Sequence, residues 1–119
     1  MLFRSAFSGA LLGGSLFTMP ADSGAPRLVL DATRPGIPIV QQPYWARDGR
    51  TIYFKSHDAR GNASIWSVPA EGGTPRQLVR FDDPQRPSYR PQWAVSADRM
   101  YFPMEDRQSD VWVIDVARR

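Results

Sequence analysis

The chain has 119 residues, of which 42% are hydrophobic, 12% aromatic and 23% charged, a balance that fits one folded domain and excludes wholesale disorder. It contains no cysteine, which removes disulfides, thiolate nucleophiles and cysteine-type zinc sites, and no run of about 18 apolar residues that could span a membrane as a helix. Fifteen basic residues face 12 acidic ones, but the arginines alternate with Asp and Glu instead of forming a basic run, so no nucleic-acid partner is expected.

Residues 1–20 resemble a poor signal peptide, with Arg4 as the only charge and an apolar centre at Leu11, Leu12 and Leu16 diluted by Gly9, Gly13 and Gly14; no small-x-small cleavage site follows. The same stretch repeats inside the chain. Ser15 to Arg27 aligns with Ser64 to Arg76 at a constant offset of 49, with six of thirteen pairs identical. Phe3-Arg4-Ser5 aligns with Phe54-Lys55-Ser56 at an offset of 51. A cleaved leader has no reason to match the interior, so no signal peptide is expected.

A third copy follows, because Pro43-Tyr44-Trp45-Ala46 matches Pro91-Gln92-Trp93-Ala94 and Ile52-Tyr53-Phe54 matches Met100-Tyr101-Phe102 at an offset of 48. Self-similarity at this period signals propellers or solenoids. In the middle copy the β-branched and aromatic runs place strand a at residues 39–46, strand b at 51–56, strand c at 64–68 and strand d at 76–81. Asp48-Gly49 and Glu71-Gly72-Gly73 supply tight turns between a and b and between c and d. Strands b and c are apolar at consecutive positions, as expected for a sheet covered on both faces. Eleven prolines and nine glycines spread along the chain interrupt any long helix. The expected fold is all-β: a partial β-propeller of about two and a half four-stranded antiparallel blades, divided as strands b to d in 1–31, a complete blade in 35–82, and strands a to c in 85–119.

Pro43 to Phe54, followed by Ile65-Trp66-Ser67-Val68 and Gly72-Gly73-Thr74-Pro75-Arg76-Gln77-Leu78, resembles the TolB-like propeller repeat across essentially the whole chain. Ala46 and Arg47 replace that family's Ser-Pro, and Ser96-Ala97 replaces its Asp-Gly, so the last a–b turn should be of another type, since alanine at positive φ costs about 1 kcal/mol. The resemblance implies the C-terminal part of a longer bacterial propeller that binds protein partners and carries no catalytic site. The alternative it implies is a sensory or substrate-gating propeller of a serine/threonine kinase, a prolyl-oligopeptidase-type enzyme or a winged-helix regulator. A TolB-like role places it in the periplasm, and the alternative in the cytoplasm.

The b–c loops and the connections from d to the next a emerge on one face of such a fold, and here they are the longer, charged set. Long loops on a rigid scaffold concentrate function, so the candidate partner-binding residues are His57, Asp58, Arg60, Arg86, Tyr89, Arg90, Glu105 and Arg107. Arg86 and Arg90 flank Tyr89, a composition enriched at interface hot spots. His57, the only histidine, is expected as a solvent-exposed loop residue, since a catalytic base needs a positioned nucleophile and a metal needs further ligands. Asp82-Asp83 reads as turn capping. No catalytic, cofactor or metal residues are assigned, because no Gly-x-Ser-x-Gly, P-loop or dinucleotide-binding pattern occurs. The four tryptophans fall at two repeat phases, which marks them as packing residues. On this reading Trp66→Ala and Trp112→Ala each cost about 3–5 kcal/mol, and His57→Ala and Glu105→Ala stay within about 0.5 kcal/mol. Leu2, Phe3, Leu16, Phe17, Val111 and Val113 are expected on uncovered terminal faces, so the chain should self-associate or join the remainder of a propeller.

Overall fold

A computed structural model describes residues 3–10, 13–22 and 24–106. They form antiparallel β-sheets and no helix. The first sheet contains β1 (Phe3–Ala10), β2 (Gly13–Pro20) and β3 (Arg27–Leu30); the second contains β4 (Gln41–Trp45), β5 (Thr51–His57), β6 (Ala63–Pro69) and β7 (Arg76–Arg80). A short pair, β8 (Ala94–Val95) and β9 (Met100–Tyr101), forms the third. Each sheet is ordered sequentially, so every neighbour is the next strand in the chain. The expected strand c over residues 110–116, with Val111, Trp112 and Val113, lies outside the described residues, as do Leu2 and Arg107.

The β5–β6 register explains why the sheets stack. Ile52 lies opposite Val68 and Phe54 opposite Trp66, while Tyr53 lies opposite Ser67 and Lys55 opposite Ile65. Side chains alternate between faces with a period of two, so the first set points one way and the second the other. Ile52, Phe54 and Val68 pack with Leu16, Val29 and Leu30 of the first sheet and with Val40. On the opposite face Ile65 and Ala63 pack with Phe81 and Trp93, joined by Tyr53, Val95 and Met100. Tyr44 and Trp93 meet edge to face at 5.3 Å, as do Phe81 and Phe102 at 4.9 Å, a favoured aromatic geometry. Hydrogen bonds reinforce the stack: Gly14 and Val40 exchange backbone bonds of 3.1 and 2.8 Å, and the Arg27 guanidinium donates to the carbonyl of Glu71 at 3.3 Å.

The turns follow their residues. Asp48 accepts from the backbone N–H groups of Arg50 and Thr51 at 2.8 and 3.2 Å, and Gly49 takes a φ of 68° that an L-residue adopts only at a cost. The 96–99 turn closes through Ser96 N–H to Arg99 O at 2.8 Å with Ala97 outside the positive-φ region. The β2–β3 and β6–β7 pairings each carry a bulge, at Leu16/Phe17 and at Ile65/Trp66. These are the residues that align at the 49-residue offset.

Four expectations need correction. Strand a begins at Gln41 rather than residue 39, because Val40 leaves the β4 ladder to bridge Gly14. Strand d ends at Arg80, and Phe81 turns under the third sheet. Leu16 is fully buried against the second sheet rather than uncovered; Phe17, its outward neighbour opposite Leu28, is half-buried. Trp66 is only half-buried, stacked nearly parallel to Phe54 at 6.5 Å, whereas Phe54 has no exposure at all. Phe54→Ala is therefore expected to cost about 3–5 kcal/mol in a urea melt, and Trp66→Ala about 2 kcal/mol, in proportion to its smaller buried area.

Candidate binding face

The loop after β5, the connection from β7 to β8 and the segment after β9 converge at one end of the stack. Asp58 closes the first of these. Its Oδ1 accepts from the backbone N–H groups of Arg60 and Asn62, each at 2.9 Å, and these bonds hold its carboxyl below the usual carboxylate range. The ring of Tyr89 lies over Gly61, and the Glu105 N–H donates to Pro87 O at 2.8 Å. Arg86 and Asp106 form an ion pair at 3.6 Å with both side chains largely exposed, a geometry of little energetic weight. Thus Asp58, Arg60, Arg86, Tyr89, Arg90 and Glu105 share one end of the molecule, and all are exposed.

His57 departs from its expected setting. It is the last residue of β5, half-buried, with Nε2 3.0 Å from Ser88 O and Nδ1 2.5 Å from Gln41 Oε1. A carbonyl only accepts, so Nε2 carries a proton; Nδ1 then donates as imidazolium or accepts from the Gln41 amide in its alternative rotation. Two hydrogen bonds to neighbouring elements make it a structural tie. His57→Ala is expected to cost about 1–2 kcal/mol rather than nothing measurable.

Beside it stands Lys55, the only lysine, which has no solvent exposure. Its Nζ donates to Ser88 Oγ at 2.5 Å and to Arg90 O at 2.7 Å and sits 5.5 Å from the centre of the Phe81 ring, an attractive cation–π placement. Burial pushes its pKa down from 10.5 to about 8. A serine beside a lysine depressed toward neutrality is a nucleophile–base combination in some hydrolases. Here Ser88 is 2% exposed and its hydroxyl donates to Pro103 O, so its proton is directed at a carbonyl and not at a base. The pair ties the β7–β8 connection to β5.

Lys55, Ser88 and Gln41 were not singled out by sequence reasoning. The available signal was a lone lysine inside the apolar run Ile52-Tyr53-Phe54. Gln42 was missed as well: it has a φ of 45°, the strained value at which its carbonyl meets Trp93 Nε1–H at 2.9 Å, a conformation costly for a non-glycine residue. Asp83 caps its own turn through Gln85 N–H at 2.9 Å, while Asp82 pairs with Arg80 at 3.7 Å. Among the described residues no group of three or more His, Asp or Glu side chains is placed to hold a metal ion, and no helix is long and apolar enough to cross a membrane. Comparison with known proteins finds no match to a family model, a curated protein or a solved structure.

The lysine carries a pH signature. Its charged form is disfavoured in the fold, so between about pH 8 and 10.5 the unfolded chain binds more protons than the folded one, and stability rises with pH across that window. Urea melts near pH 7.5 and pH 10 should show wild type gaining on Lys55→Met by up to roughly 2 kcal/mol. A difference that does not change with pH would mean that the lysine keeps an ordinary pKa in the fold.

Proposed function

We propose that the stacked sheets are consecutive blades of a β-propeller arc and that the chain is a non-catalytic platform for protein–protein contact, as its resemblance to TolB-like repeats implies. The observation that carries this reading is the gathering of the 57–62 loop, the 81–93 connection and the 102–106 segment at one end, where they present Arg60, Arg86, Tyr89 and Arg90 to solvent. The middle sheet is covered on both faces, as in a propeller blade. The bulges at Leu16/Phe17 and Ile65/Trp66 give the two larger sheets the same internal geometry at the repeat offset. Arginine and tyrosine are favoured anchors of protein interfaces, and the serine nearest a base in this end of the molecule is buried.

The outer faces bear on assembly. Leu28 is 48% exposed beside Phe17 on the first sheet, and Tyr101 is 53% exposed on the third. Apolar faces without a neighbour and open strand edges favour association.

Two measurements test the reading. Sedimentation at tens of micromolar, roughly where exposed edges associate, should show self-association, and a stable monomer there would count against an open arc. A photo-crosslinking amino acid at Tyr89, introduced in the producing cell, should give a discrete adduct with another protein. The same group at Leu78, on the outer strand, should not. If Tyr89 gives no adduct beyond those formed at Leu78, the binding face is wrongly placed.

A further inference from the structure

At the same end a cleft of about 390 Å³ opens between the Gly36–Ile39 segment and the face of β5–β6–β7. Register sets its floor. Ser56, Ser64 and Arg80 lie opposite one another across the three strands, and Trp66 and Gln77 form the next row. Trp66 Nε1–H donates to Ser64 Oγ at 2.7 Å, which leaves the serine hydroxyl proton to donate. The wall opposite is Ile37 and Pro38.

The two charges on this cleft differ in how far they are engaged. Among the described residues that line it, the charged side chains are Arg80 and Asp58. The Asp58 carboxylate is occupied by its own loop's N–H groups, and the His57 ring nitrogens are engaged on the far side with Gln41 and Ser88. Among the described residues Arg80 pairs with Asp82, at 3.7 Å with side chains 68% and 65% exposed, a pairing that water screens and a ligand can replace. The cleft thus offers a guanidinium fork, a hydroxyl donor and the Gln77 amide beside an indole.

We propose that this cleft is a carboxylate-binding site that takes an aspartate or glutamate side chain from an extended segment of a protein partner; the protein origin of the ligand rests on the interaction reading above. One guanidinium matches one planar carboxylate through paired N–H donors, whereas a phosphate dianion would call for more positive charge than a single arginine. The volume is at the small end of ligand sites and suits one side chain with its flanking backbone. The half-buried indole of Trp66 and the side chain of Ile37 give the flanking backbone an apolar surface.

The test is an NMR titration of the full ¹⁵N-labelled chain followed at the Trp66 indole N–H. The probes are the capped tripeptide acetyl-Ala-Glu-Ala-amide, its glutamine counterpart and sodium acetate, each raised to about 10 mM to cover weak affinities. The glutamate peptide should give a saturable shift, and the glutamine peptide should bind at least tenfold more weakly. Arg80→Gln should lose the same factor, with Arg80→Lys intermediate because it keeps the charge and loses the fork. Arg47→Gln, an exposed residue away from the cleft, should leave the titration unchanged. Equal binding of the glutamine peptide, an undiminished response in Arg80→Gln, or no saturable shift would each overturn the site. Acetate binding as tightly as the peptide would overturn the peptide source and leave a small free carboxylate in its place. Arg80→Gln is also to be crosslinked through Tyr89: if the tripeptide fails to bind while the Tyr89 adduct persists, the cleft proposal falls and the interaction reading stands.

Discussion

The hairpin of β5 and β6 carries apolar side chains on both of its faces, and covering them governs the rest of the structure. A sheet that leaves one face to water alternates apolar and polar residues. Here Ile52, Phe54 and Val68 point one way and Ile65 and Ala63 the other, all at 2% exposure or less. No arrangement within a single sheet covers both sides, so the chain before β4 and the chain after β7 must each supply a layer. That requirement draws Leu16, Val29 and Leu30 from one side and Phe81 and Trp93 from the other. It also brings the connections between sheets to one end, where the candidate face lies.

Strand positions were legible because hairpin turns announce themselves through Asp-Gly and Gly-Gly pairs and because β-branched and aromatic runs lie between them. The middle sheet follows the expected strands to within two residues. The ends shifted for reasons outside local preference: Val40 is taken by a bridge to Gly14, and Phe81 by the aromatic contact with Phe102. Burial was less legible than strand position. Repeat phase marks Trp66 as a packing residue, but the three-stranded first sheet covers Phe54 fully and Trp66 only in part.

The candidate face was legible as loop length and charge, which brought Asp58, Arg60, Arg86, Tyr89, Arg90 and Glu105 to one end. Its internal chemistry was not. His57 sits beside Asp58 in sequence, yet its ring partners are 16 and 31 residues away, and nothing in the local pattern predicts Gln41 or Ser88. Lys55 is harder still. A lysine in an apolar strand ordinarily implies an edge or a face open to solvent, and only the three-dimensional closure of Ser88, Arg90 O and Phe81 over it makes burial tolerable.

That closure bears on how the candidate face keeps its shape. The connection between β7 and β8 has no regular hydrogen-bond ladder of its own, and long segments of this kind ordinarily take many conformations. Lys55 and His57 hold it at Ser88 O, Ser88 Oγ and Arg90 O, and Ser88 passes the restraint on to Pro103 O in the segment beyond β9. A buried ammonium without a carboxylate partner among these contacts is a poor source of stability, since desolvation opposes its charge. An apolar residue at this position would fill the space without that cost, but would leave Arg90 O and Ser88 Oγ without their buried donor. The polar cluster therefore trades stability for a fixed placement of Arg86, Tyr89 and Arg90, three exposed side chains of the candidate face.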